Sequence, residues 1–168
     1  MLFRGINVGG RNILPMKELV VLLETRGFRN VKTYIQSGNV LLDAHEKPDD
    51  SIRLAIESKY GFSPEIMVFE KTGFETMVKN NPFTSDIGKT IHFFFCEKKP
   101  NPDVKKLEQL ATATERFEII DNVFYLHAPD GIGRSKLAGK VEACLGVSTT
   151  ARNLNTVSKL LEMTNHAK

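Results

Sequence analysis

Gly131, Gly133, Arg134, Ser135 and Lys136 are the residues of this chain whose types and spacing come nearest to chemistry. They lie in the stretch PDGIGRSKL, residues 129–137, between a β-rich run (Val123 to Ala128) and an apolar-periodic segment. Two glycines let the backbone take positive φ, so successive N–H groups can converge on one point. At a helix start that point favours negative charge, because the first N–H groups lack carbonyl partners and the helix dipole adds to them. Arg134 and Lys136 contribute two full positive charges, and the expected chemistry is an anion seat. The spacing is not that of the nucleotide triphosphatase loop, Gly-x-x-x-x-Gly-Lys-Ser/Thr. The competing reading makes the glycines plain turn residues and Ser135 a helix cap.

Such a seat depends on the elements around it. Leu2 to Ile6 reads as a strand ending in the glycine-rich loop Asn7 to Asn12, and Pro15 suits the first turn of a helix. Met16, Leu19, Val20 and Leu23 continue that helix, and Gly27 stops it. Val31, Thr33 and Ile35 alternate with polar neighbours as a strand, Ser37-Gly38 signals a hairpin, and Val40 to Asp43 returns. Ile52 to Tyr60 gives a second helix and Glu65 to Phe69 a further strand. The order strand, helix, strand, strand, helix, strand is that of a ferredoxin-like fold.

The second half repeats that order. A short helix at Gly73 to Lys79 and the break Asn81-Pro82-Phe83 precede an apolar strand, Ile91 to Glu97. A helix over Val104 to Ala111 follows, then a hairpin of Phe117 to Ile120 and Val123 to Leu126. Leu137, Val141, Cys144 and Leu145 mark the next helix, Ser148 to Arg152 the last strand, and Asn153 to Met163 a terminal helix. The predicted fold is therefore α+β: two tandem ferredoxin-like (βαββαβ) subdomains with antiparallel sheets, plus a C-terminal helix. The boundaries are 1–71 for the first subdomain, 72–89 for a connecting helix and loop, and 90–168 for the second subdomain with its helix.

A chain of 168 residues, 41% apolar and 26% charged, has the composition of an ordinary soluble globular protein. No apolar run approaches the ~20 residues that span a bilayer, and the first residues lack a signal-peptide pattern, so the expected compartment is the cytoplasm, without membrane association. Residues 1–70 carry nine basic and nine acidic side chains, whereas 71–168 carry 14 and 11, so the whole excess of +3 lies in the second part. Those cations alternate with acids, the pattern of a solvated face. Cys96 and Cys144 stand apart, as do His45, His92, His127 and His166, so no metal site and no disulfide is expected. No cofactor is implied.

Four polar stretches interrupt this pattern: RGINVGGRN (4–12), TYIQSGNV (33–40), PDGIGRSKL (129–137) and TTARNLNTV (149–157). Together with Asn81-Pro82-Phe83 they make the chain resemble domain-of-unknown-function family 1697, small bacterial proteins, nearly end to end. The resemblance implies an α+β fold with two ferredoxin-like subdomains and brings no catalytic residue or ligand. Members often begin a few residues earlier, and an aromatic residue is common where this chain has Leu154.

Glycine allows close approach to a ligand, while Arg and Asn supply directional donors. The expected site is one cleft between the two subdomains, lined by Arg4, Asn7, Arg11, Ser37, Asn39, Arg134, Ser135, Lys136, Arg152, Asn153 and Asn155, beside Gly131 and Gly133. The alternative is that Asn7, Asn39 and Asn155 satisfy local backbone groups in turns and caps. No catalytic constellation emerges. His92 and Cys96 share a strand face but lie ~13 Å apart along it, too far for a nucleophile–base pair. His127 beside the glycine turn has a usable pKa, although a strand-end histidine needs no role, and Asp130 suits a turn. Tyr34, Phe93, Phe95 and Tyr125 are strand aromatics that read as core, and the aromatic-glycine signature of RNA-binding sheets is absent. Three functions remain: a module for a small phosphate- or carboxylate-bearing ligand, which is preferred; a nucleic-acid-binding module using the basic second part; or an enzyme acting on a phosphorylated metabolite, with Arg134 and Lys136 stabilising developing charge.

Overall fold

A computed structural model describes residues 1–165; His166, one of the four histidines considered above, lies outside the described residues. The described chain divides into two compact units, one of Met1–Lys71 with residues 160–165, the other of Thr72–Lys159. The described residues form two four-stranded antiparallel sheets and six α-helices.

In the first unit the elements are β1 (Leu2–Arg4), α1 (Met16–Thr25), β2 (Arg29–Tyr34), β3 (Asn39–Asp43), α2 (Ser51–Tyr60) and β4 (Glu65–Met67). The sheet order is β2-β3-β1-β4, with every neighbouring pair antiparallel. Helical spacing on α1 buries Met16, Leu19, Leu22 and Leu23, and on α2 Ile52 and Ile56, against Phe3, Val31 and Val40 of the sheet. Each such side chain contributes about 1.5–3 kcal/mol on leaving water. Gly38 sits where no other residue fits. Its φ is +76°, and a Cβ there would stand 2.6 Å from Phe3 Cβ and 2.7 Å from Ile6 Cδ1.

Three strands are shorter than their sequences suggest. The first ends at Arg4 and not at Ile6; the fourth ends at Met67 and not at Phe69. In β2 the alternation predicts an inward Ile35, but Ile35 has left the strand, takes φ +49° and is half exposed. A β-branched residue at positive φ is a strained conformation.

The second unit contains most of α3 (Lys71–Lys79), then β5 (Ile91–Cys96), α4 (Val104–Leu110), β6 (Arg116–Ile120), β7 (Val123–His127), α5 (Val141–Leu145), β8 (Thr149–Asn153) and the first turns of α6 (Leu154–Asn165). The sheet order is β6-β7-β5-β8, again wholly antiparallel. All six residues of β5 are buried, so both faces of this sheet are covered. Phe94, Cys96, Phe124 and Leu126 pack against Leu107 of α4 and Val141, Cys144 and Leu145 of α5. On the opposite face Phe74 of α3 stacks on Phe95 with ring centres 5.9 Å apart, and Tyr125 donates its hydroxyl to the Met77 carbonyl at 2.6 Å. Phe93, Phe95 and Tyr125 are thus core residues, while Tyr34 is half-buried.

The helix expected over Leu137 to Leu145 is broken. Ala138–Lys140 is a 3-10 turn, Lys140 takes a non-helical φ of −123°, and α5 proper has five residues. Gly139 inside the apolar period lowers helix propensity at the point of the break.

Candidate functional site

Around Gly131 and Gly133 the chain forms a 3-10 turn, Ile132–Arg134, in place of a helix start. Gly131 has φ +94°, whereas Gly133 is not among the positive-φ glycines. Three local amides are engaged by neighbouring carbonyls: Gly131 N by Ala128 O at 3.0 Å, Arg134 N by Gly131 O at 3.2 Å and Ser135 N by Ile132 O at 3.1 Å. Ser135 Oγ accepts from the Ala138 amide at 2.9 Å, at the start of the 3-10 turn Ala138–Lys140. The helix start expected here is replaced by a tight turn, which takes up these three amides. Arg134 and Lys136 are both exposed on this turn. Asp130 accepts from Thr114 Oγ1 at 2.6 Å, which ties the loop to the segment before β6.

The asparagines of the first unit hold loops together. Asn7, at φ +53°, donates from Nδ2 to the Leu14 carbonyl at 2.9 Å and the Gln36 carbonyl at 2.8 Å, and its Oδ1 accepts from Leu14 N at 2.8 Å. One side chain thereby joins the stretch 4–12 to the stretch 33–40. Asn39 is fully buried and donates to Tyr34 O and Ser37 Oγ. Arg4 forms an ion pair with Glu65 at 2.9 Å, and Arg11 is exposed at the end of the tight Val8–Arg11 turn.

In the second unit the stretch 149–157 runs along β8 into α6. Arg152 is buried; its Nη1 donates to Thr150 Oγ1 at 2.9 Å and Ala151 O at 2.8 Å. Burial disfavours the charged form and pushes its pKa down to about 10. Asn153 caps α6, its Oδ1 accepting from the Thr156 amide at 2.9 Å. Asn155 is exposed, with its Oδ1 where a Cβ on Gly88 would be.

The 3-10 turn Gly88–Thr90 links these parts. It receives Asn155 at Gly88, its Thr90 carbonyl accepts from Ala128 N at 2.8 Å, and it leads into β5. Ala128 directly precedes the loop 129–137. The start of α6, the turn 88–90 and the root of the cationic loop are therefore contiguous at one end of the second sheet.

His92 lies in the same place. It pairs across the sheet with Leu126 on one side and with Asn153 on the other. Only 6% of the residue is exposed, and Nε2 has no hydrogen-bond partner, the one such buried side-chain atom among the described residues. Burial lowers the His92 pKa, and the Lys89 carbonyl opposes that in part. Nothing in the sequence singled out His92 beyond its spacing to Cys96. That thiol is buried, and its pKa is pushed up to about 11 by burial, which makes it a poor nucleophile near neutral pH. His127 stands against the Phe83 ring, with centres 6.2 Å apart.

Among the described residues no three His, Cys, Asp or Glu side chains group as a metal site, and no helix is long and apolar enough to cross a membrane. A family model described as a protein of unknown function, DUF1697, matches residues 1–125. No curated protein matches the chain. Among solved structures, a conserved bacterial protein from Streptococcus pneumoniae is similar, with a TM-score of 0.69 and 24% identity over 96% of this chain and 95% of that one. That likeness bears on the fold.

Proposed function

The chain belongs to the DUF1697 family of proteins of unknown function, and from that premise we propose that it binds a small anionic ligand, phosphate- or carboxylate-bearing. The binding groups are side chains rather than an amide nest. The observation that carries this reading is the placement of two exposed cations, Arg134 and Lys136, on a turn fixed by its own backbone bonds. That turn shares one end of the second sheet with Asn153, Asn155 and the start of α6. A rigid turn lowers the entropy lost when such side chains engage a ligand.

Of the residues expected to line a site, Asn7, Ser37 and Asn39 are read as loop-holding groups, and Arg4 is paired with Glu65. Arg11, Gly131, Gly133, Arg134, Ser135, Lys136, Arg152, Asn153 and Asn155 remain the candidates. The matching element order and sheet order of the two units support two tandem ferredoxin-like copies, joined through 72–89. Two buried free thiols support a reducing compartment, the cytoplasm.

A ligand that binds only the folded protein raises its melting temperature. A thermal-shift series with inorganic phosphate, sugar phosphates, nucleotides and carboxylates is expected to give at least one positive shift. Arg134→Ala combined with Lys136→Ala is expected to erase it. No shift across the series, or a shift untouched in the double variant, overturns the reading. Nucleic-acid binding through the basic second part is the second reading; retention on nucleic acid that falls steeply with salt would favour it.

A further inference from the structure

The two edges of the second sheet are finished differently. Cys96 N donates to the Asn122 carbonyl and Ala128 N to the Thr90 carbonyl. Hydrogen-bonded pairs alternate along an antiparallel ladder, so Phe124 and Leu126 of β7 turn their main-chain groups to β5, and Val123, Tyr125 and His127 turn theirs to β6. Their β6 partners are Ile120, Glu118 and Arg116, which leaves the amides and carbonyls of Phe117 and Ile119 on the outer side. Along β8 the same alternation turns Thr149 and Ala151 outward, since Glu97 N donates to the Ser148 carbonyl. There side chains close the edge: Glu142 accepts from the Thr149 amide, and Arg152 donates to the Ala151 carbonyl. Among the described residues nothing does this for Phe117 or Ile119. Nor does β6 carry a bulge, a proline or a lysine, the usual means of blunting an edge.

The side chains of this open edge complement themselves. Arg116 and Glu118 share one face of the sheet, on either side of Phe117, which points to the other. Both are exposed, and neither has an ion-pair partner among the described residues. Arg116 Nη1 donates to Ala113 O at 2.8 Å and Glu115 O at 2.7 Å, so the guanidinium is held in place with its remaining donors unspent. Phe117 stacks on Phe124 with ring centres 5.4 Å apart, and with Val104 and Ala111 it lines an open groove of about 440 Å³ beside the strand.

We propose that β6 pairs antiparallel with β6 of a second copy of this chain across a two-fold axis at Phe117, joining two of these four-stranded sheets edge to edge. Phe117 of each copy then exchanges both main-chain bonds with its counterpart. Arg116 of each copy stands opposite Glu118 of the other, at non-hydrogen-bonded positions, where facing side chains lie closest. Moving the axis to Glu118 keeps the main-chain bonds in phase but sets Glu118 against Glu118, and like charges directly opposite are destabilising. Charge therefore selects the register as well as the partner. The paired edge is short, so the dimer is a weak one that dilution separates. This inference is independent of the anion reading and uses none of its residues.

The test is sedimentation velocity of the full chain over a dilution series from millimolar to micromolar, where dimer is expected to give way to monomer. Glu118→Arg sets Arg against Arg at both facing positions and is expected to weaken the dimer about tenfold or more. Arg116→Glu added to Glu118→Arg exchanges the charges and is expected to restore it. Amide hydrogen exchange of the unaltered chain supplies a readout independent of any variant. The Phe117 amide is expected to exchange more slowly at high concentration than at low, while the Glu118 amide, already bonded to β7, stays unchanged. A dimer indifferent to Glu118→Arg, a double variant that stays monomeric, or a Phe117 amide unaffected by concentration overturns the pairing. A monomer at every concentration overturns it too, and leaves the open edge to an extended segment of another protein.

Discussion

The two glycine-rich loops, 5–12 and 129–137, have similar compositions and differ in how far side chains hold them. In the first, asparagine side chains add four bonds to the main-chain pairs Asn7–Asn12 and Arg11–Val8: Asn7 bonds Leu14 twice and Gln36 once, and Asn12 donates to the Gly5 carbonyl. In the second, main-chain bonds hold the turn, with Ser135 and Asp130 as side-chain contributors. The asparagines Asn7 and Asn12 of the first loop are therefore consumed by structure, whereas Arg11 there and Arg134 and Lys136 in the second loop are exposed. A polar side chain in a loop points to a ligand only after the loop's own backbone groups have been counted.

That contrast is broken or sharpened most severely at the base of the first loop. Gly38→Ala combines positive φ with a Cβ driven into Phe3 and Ile6. It is expected to destabilise the fold by about 2–4 kcal/mol, through overpacking and backbone strain together. Urea unfolding monitored by circular dichroism measures it, and a loss below ~1 kcal/mol would show that the contact yields freely.

Next in size is Asn7→Ala, which deletes three hydrogen bonds and leaves a non-glycine residue at φ +53°. About 2–3 kcal/mol is expected. The matching change in the second loop, Ser135→Ala, removes one bond to Ala138 N and is expected to cost about 0.5–1 kcal/mol. Equal costs for the two substitutions would mean that the loops are built alike after all.

The strands were legible where burial had one sign. Ile91–Cys96 and Val123–His127 are nearly continuous apolar runs, and both emerge as central strands close to their expected limits. Their aromatic residues could be placed in a core for the same reason. Ile35 was not legible, since its alternation with Tyr34 and Gln36 fits a strand that the chain abandons at positive φ. The broken segment before α5 misled in the same way, because an apolar period fits 3-10 turns and helix alike over so short a span. At the candidate site, Arg134 and Lys136 stood out by charge. His92 was invisible as a site residue, because its standing depends on a missing partner across strands far apart in sequence.

The smallest effect is silent at neutral pH and separates the second sheet from the first. Burial holds the His92 pKa below its ordinary value, near 6.5 in the unfolded chain, so the folded protein resists protonation where the unfolded chain accepts it. Between those two pKa values the unfolded state binds more protons, and stability therefore falls as pH falls. The contribution is complete above about pH 6.5 and is lost as acid carries the protein through the lowered folded pKa, at no more than about 1.4 kcal/mol per pH unit. Replacing His92 with leucine removes both the titration and the orphaned nitrogen, so the variant is expected to be at least as stable as the parent at neutral pH, with a margin that grows in acid. Parallel urea titrations of the two proteins at pH 7.5 and at stepped pH values below 6.5 measure the difference directly. Parallel curves across that range would mean that His92 titrates identically folded and unfolded, and that the second sheet keeps its imidazole no drier than the first sheet keeps its exposed edge residues.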